Sequence, residues 1–210
     1  MTGLNSHHLK LIAAASMFID HIGVVLYPES DWLRMVGRIS FPLFAWLLIQ
    51  GEAHTRNIWR YGLRLAVLGL VSQPLYQIAF DVTTPNILFH LLVGLMCLRM
   101  TRLQPKWAWL AWIAGALITE VLGISYGSYG IALILLLRYF RNRPPWWMAW
   151  ISLHLASIAL FGTFQMPVLP VPLLLMAYNQ QRGAKARWFY AFYPAHLLLL
   201  VLVRGSNVYN

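Results

Sequence analysis

The chain has 210 residues, 60% of them hydrophobic and 10% charged, with a mean hydropathy of +0.61. Soluble domains carry about 25% charged residues, so an ordinary soluble fold, a disordered tail and a fibrous repeat are excluded. An all-α polytopic membrane bundle remains. The formal charge of +10 would suggest a polyanion partner in a soluble protein, but short loops rich in Lys and Arg are what set the orientation of a membrane chain, so no nucleic-acid partner is expected.

In chain order, apolar runs predict about nine transmembrane helices, at 9–27, 36–53, 61–80, 86–100, 107–122, 126–140, 146–161, 166–178 and 189–203. Several are shorter than the roughly 20 residues a crossing helix needs. Proline and amphipathic aromatics mark many of the ends, as at Tyr27-Pro28, Trp59, Trp107, Pro144-Pro145-Trp146-Trp147 and Trp188. Lys10 precedes the first run, and Arg56, Arg60 and Arg64 lie between the second and third. Arg99, Arg102 and Lys106 follow the fourth, Arg138, Arg141 and Arg143 the sixth, and Arg182, Lys185 and Arg187 the eighth. Only Arg34, Arg38 and Arg204 fall on the opposite side, in company with Glu29, Asp31 and Asp81. That asymmetry predicts a cytoplasmic N terminus and an outer C terminus. The first run continues past Asp20-His21 to Leu26 and is read as an uncleaved span. With no repeat, linker or long loop, residues 1–210 read as one transmembrane domain whose chemistry lies within or at the edges of the bundle.

A charge at the bilayer centre costs about 2.5–3.5 kcal/mol even on insertion scales, so each intramembrane ionisable group needs a reason. Asp20 and His21 are adjacent on the first span, about 100° apart around the helix, too far apart to pair with each other. Arg38, at the outer end of the second span, is expected at a depth where it can pair with Asp20. Positions 38, 42, 45, 49 and 52 recur at helical spacing and would put Arg38 and Glu52 on one face. Arg56, Arg60 and Arg64 are spaced so that an early-starting third helix would carry them as one basic stripe, suited to forked contacts with phosphate. Asn86 and His90 are one turn apart on the fourth span, and Glu120 lies near the outer end of the fifth. Trp150 and His154 are one turn apart on the seventh, and Tyr193 and His196 share a face of the ninth beside Pro194. Polar residues at such places serve more often as helix-to-helix glue than as catalysts. The YGSYG segment at 126–130 reads as a tight hairpin, not a phosphate loop. The histidines show no metal-ligand spacing and Cys97 is the sole cysteine, so no metal is expected.

The blocks LKLIAAASMFIDHIGVVLYP, LRMVGRISFPLFAWLLIQGEAHTRN and FYAFYPAHLLLL resemble the TraX family, from about Leu9 to Leu200. More distantly, the Asp-His step followed by a Phe-Pro helix is similar to the wider group of transmembrane acyltransferases that includes lysosomal heparan N-acetyltransferase. The TraX resemblance implies a multi-pass protein of the bacterial inner membrane that acetylates the N terminus of pilin from acetyl-CoA. On that reading His21 is the candidate general base. Asp20 binds the amine or sets the local charge, and Arg38 or Asn86 stabilises the developing oxyanion. Arg56, Arg60 and Arg64 receive the donor's phosphates, and His90, Glu120, Tyr193 and His196 support the site. The competing expectations are a small-molecule or proton-coupled transporter and a non-catalytic pilus-assembly protein.

Overall fold

The computed structural model describes residues 3–161, 163–186 and 188–207; Arg187 of the basic loop lies outside them. Among the described residues ten α-helices follow one another; the predicted apolar runs fall largely on them, but 36–53 is interrupted at Arg38-Ile39 and 166–178 holds the end of a 3-10 helix, a turn and one short α-helix. The helices are α1 (Ser6–Leu26), α2 (Asp31–Gly37), α3 (Ser40–His54), α4 (Ile58–Phe80), α5 (Ile87–Leu103), α6 (Ala108–Val121), α7 (Gly127–Arg138), α8 (Pro144–Phe161), α9 (Val171–Met176) and α10 (Trp188–Asn207). Among the described residues four segments are long and apolar enough to cross a bilayer: Ser6–Leu26, Asp31–His54, Ile58–Phe80 and Trp188–Gly205. Many large apolar side chains point outward on these and other helices, among them Leu63, Leu70, Met96, Val121, Leu160 and Leu202. Such an outer surface suits a helical bundle solvated by lipid.

Two departures from the hydrophobic pattern have local causes. Helix α1 starts three residues earlier than its apolar run, because Asn5 and His8 form a reciprocal capping box: Asn5 Oδ1 accepts from His8 N at 3.0 Å and Asn5 N donates to His8 Nδ1 at 3.4 Å. The second predicted span is broken in two at Arg38-Ile39, so Arg38 caps α2 instead of opening α3. The proposed stripe through 38, 42, 45, 49 and 52 is thus interrupted at its first member. Pro42 sits in the first turn of α3, where its missing N–H breaks no helical bond.

The chain divides into two units, 1–47 with 141–210, and 48–140, with α3 continuing from one into the other. In the first, α1 packs along α2 and against α10. The chain ahead of α1 is tied to the loop after α9: Leu4 N donates to Ala177 O, Asn179 N to Leu4 O and Ser6 N to Gln181 O, each at 2.8 Å. On α8, Trp150 is fully buried, stacks on Trp146, and donates its indole N–H to Leu169 O at 3.1 Å. In the second unit α5 packs against α4, α6 and α7. Some of its interior polar groups bond to one another, as where Trp112 Nε1 donates to the Thr101 hydroxyl at 2.9 Å and that hydroxyl donates to Cys97 O.

Candidate functional site: the α1–α2–α10 cluster

Asp20 and His21 face different neighbours, as adjacent helical residues must. Asp20 belongs to the stripe Ser16, Asp20, Gly23 that lies under α2. The Ser16 hydroxyl donates to Val36 O at 3.3 Å. A Cβ on Gly23 would meet Leu33, and one on Gly37 would fall on the Cβ and Cγ of Asp20. The two helices therefore approach through glycine, the device that lets membrane helices come close. Oδ1 of Asp20 is buried and accepts no hydrogen bond among the described residues. Arg38 and Arg34 supply the positive charge that acts on it. Arg38 directly follows Gly37, the residue that abuts Asp20, at the C-terminal end of α2.

His21 faces α10. Its Nδ1 lies 2.8 Å from Nε2 of His196, with the two rings nearly parallel at 24° and 5.0 Å between centroids. Nδ1 of His196 lies 2.8 Å from the carbonyl oxygen of Phe192, one turn back on α10. The His196 ring is held on three sides: Phe192 stacks on it at 4.9 Å and 15°, Phe18 meets it edge-on at 6.2 Å, and Tyr193 edge-on at 5.4 Å. His154, also in this unit and fully buried, donates Nδ1–H to Trp150 O at 2.7 Å, a helix-internal bond.

The other sequence-derived candidates lie in the second unit. Asn86 caps α5 and is fully engaged: Oδ1 accepts from Leu88 N, and Nδ2 donates to Gly69 O and to Gln73 Oε1, both at 2.8 Å. Both amide hydrogens are used in holding α4 to α5, which leaves none for an oxyanion. His90 is buried against α7, where Gly130 makes room for its ring. Glu120 is exposed and accepts the Ser128 N–H at 2.7 Å, so it caps α7. Tyr126 and Gly127 take left-handed backbone where the connection from α6 runs into α7; the rest of YGSYG, expected as a tight hairpin, is instead the first turn of that helix. Arg56, Arg60 and Arg64 are all exposed, but Arg56 precedes α4, whose cap is Asn57. Only Arg60 and Arg64 share that helix, and Arg64 Nε donates to Arg60 O at 3.0 Å.

A family model described as TraX protein matches residues 5–204. The chain belongs to the TraX family. A relative from Dichelobacter nodosus, the probable fimbrial assembly protein FimC of serogroup H1, is 30% identical over 93% of this chain and 94% of its own length. Protein TraX of Escherichia coli is 32% identical over 61% of this chain and 52% of its own length, and that of strain K12 is 34% identical over the same shares. The chain thus spans about half the length of those two relatives. No solved structure matches. In this TraX-family chain the motif residues Asp20, Gly37 and Arg38 meet at the crossing of α1 with α2.

Arg34 is the residue that sequence reasoning passed over: it joins Arg38 in acting on Asp20. The signal was available, since 34 and 38 are one turn apart on a single short helix. Phe18 and Phe192, which frame His196, carried no such signal, being two more apolar residues in apolar runs.

Proposed function

We propose that this TraX-family protein is an integral-membrane N-acetyltransferase that takes acetyl groups from cytosolic acetyl-CoA and transfers them to an amine at the outer side of the bacterial inner membrane. The acceptor is the N terminus of a pilin. The nine-crossing topology with a cytoplasmic N terminus belongs to the same proposal, since a cytosolic donor and an exported acceptor must meet within the bundle. The observation that carries the reading is a pair of hydrogen-bonded imidazoles next in sequence to a carboxylate whose buried oxygen accepts no hydrogen bond among the described residues, all on α1 and α10. A purely structural role gives little reason for so costly a set of residues to gather on one helix and its neighbours. The name of the Dichelobacter relative, a probable fimbrial assembly protein, supports a pilin-like acceptor.

The chemistry follows from the groups present. The acceptor arrives as an ammonium, which an unsatisfied carboxylate such as Asp20 binds. It loses one proton to solvent and becomes nucleophilic. Its nitrogen then attacks the thioester carbonyl carbon. As the C–N bond forms, a second proton passes to the imidazole of His21. As the C–S bond breaks, that proton goes to the departing sulfur. Arg38 and Arg34 lie near enough to Asp20 to influence it electrostatically, and Arg38 is the cation available to the developing oxyanion. Arg56, Arg60 and Arg64 are the exposed cations proposed to receive the donor's phosphates.

The test is direct. Purified protein in detergent is mixed with acetyl-CoA and a peptide bearing a pilin N terminus, and the peptide is weighed. A gain of one acetyl group that disappears in His21→Ala supports the enzyme. No gain with the wild-type protein, together with solute or proton movement in proteoliposomes lacking acetyl-CoA, would replace it with a transporter.

A further inference from the structure

We infer that His196 is a positioning residue that decides which nitrogen of His21 reacts. The inference takes its catalytic meaning from the transferase reading, but its geometry stands independently. The argument starts at a group whose role is fixed. The carbonyl oxygen of Phe192 can only accept, so Nδ1 of His196, 2.8 Å away, carries a proton. A neutral imidazole with a proton on Nδ1 has its lone pair on Nε2. That lone pair lies 2.8 Å from Nδ1 of His21, so Nδ1 of His21 is the donor. The lone pair of neutral His21 is therefore on Nε2. One backbone carbonyl thus sets two tautomers in succession, as a second group orients the imidazole in other acid–base sites.

The arrangement performs the orienting task of the third member of a catalytic triad without a carboxylate. When Nε2 of His21 takes a proton, Nδ1–H continues to point at the lone pair of His196, so the ring need not turn as charge develops. The His196 ring is kept in place by the Phe192 stack and the edges of Phe18 and Tyr193, which leaves it little freedom to flip and reverse the relay. The sequence alone offers Tyr193, Pro194 and His196 as a polar turn in a late apolar helix. The contact with His21, 175 residues earlier in the chain, gives that turn a purpose.

The experiment uses the full chain in detergent, labelled with nitrogen-15 at histidine. Long-range proton–nitrogen spectra distinguish the two tautomers of each ring, and His21→Ala identifies the His21 signals. The expected result is a His21 ring protonated at Nδ1 and unprotonated at Nε2. His196→Leu, which fills the space without a polar atom, should lose that preference. Its kcat should fall about 10²–10⁴-fold, the scale set by a mis-held tautomer in a protease triad, with KM for acetyl-CoA little changed. His196→Gln offers an amide oxygen to His21 and an amide N–H to Phe192, and should keep the tautomer and recover kcat to within about tenfold of wild type. A wild-type His21 protonated at Nε2, or a His196→Leu protein with wild-type kcat, overturns the inference. If the wild-type protein transfers no acetyl group, the transferase reading fails on its own, and the ring spectra still decide whether His196 sets the tautomer.

Discussion

Gly37 lacks a side chain where Asp20 occupies the space one would fill. A Cβ built at 37 would overlap the Cβ and Cγ of Asp20, and neither atom can swing aside, since both lie at the root of the side chain. The crossing of α1 and α2 therefore admits either a carboxylate on one helix or a methyl on the other. Gly37→Ala should destabilise the protein by the overpacking scale of about 1–3 kcal/mol, read as a lower thermal midpoint in detergent. It should also lower transfer activity beyond the loss of folded protein, because the methyl displaces Asp20. A variant as stable and active as wild type would mean that the two helices do not meet at this pair.

Asp20 itself separates binding from packing. Asp20→Asn keeps the shape against Gly37 and removes the charge. The expected outcome is normal folding with kcat/KM for the amine acceptor reduced about 10–100-fold, carried mostly by a higher acceptor KM, since an ammonium loses its counter-charge. KM for acetyl-CoA should stay near its wild-type value. Steady-state kinetics with each substrate varied in turn checks this; equal effects on the two substrates would remove Asp20 from acceptor binding.

The sequence made some of this legible for a physical reason and hid the rest for another. Helix positions followed from apolar runs because lipid-facing surfaces must be apolar. Asp20 and His21 stood out because an ionisable pair in such a run is expensive. The break at Arg38-Ile39 was hidden, because the apolar positions keep helical spacing across it. The early start of α1 was hidden by its cap, whose Asn5 and His8 are polar and fall below any hydropathy threshold. The commitment of Asn86 to α4 depends on Gly69 and Gln73, which no spacing rule connects to it. The partnership of His21 with His196 was beyond reach for the same reason: spacing reports neighbours within an element, and these two lie on α1 and α10, 175 residues apart in the chain.

The proposed orientation makes a prediction independent of catalysis. Single cysteines at exposed loop positions can be labelled with a membrane-impermeant maleimide, and Cys97 is buried and should stay silent. Glu29→Cys and Thr83→Cys should label in intact spheroplasts. Arg56→Cys and Arg141→Cys should label only after lysis, as the distribution of basic residues requires. Labelling of Arg56→Cys in intact spheroplasts would reverse the orientation and put the basic residues on the side without acetyl-CoA.

Glu52 gives the clearest energetic asymmetry. Its carboxylate is fully buried, with Arg99 at 3.6 Å and Arg102 at 3.4 Å, whose side chains remain 33% and 40% exposed. Arg102 also donates to Ala53 O at 3.5 Å. Removing the carboxylate leaves two guanidiniums that water or headgroups can still reach. Removing the arginines leaves a buried anion with nothing to compensate it. Glu52→Gln should therefore cost about 1 kcal/mol, because the cations it frees are partly solvated. Arg99→Ala with Arg102→Ala should cost about 3–5 kcal/mol, the scale of a buried charge stripped of its partners. Adding Glu52→Gln to that double variant should restore most of the loss, since no charge then remains to be solvated. Thermal midpoints of the three proteins in one detergent decide it: additive losses in the triple variant would mean that the pairs do not compensate the buried carboxylate, and that the arginines stabilise the unit through packing alone.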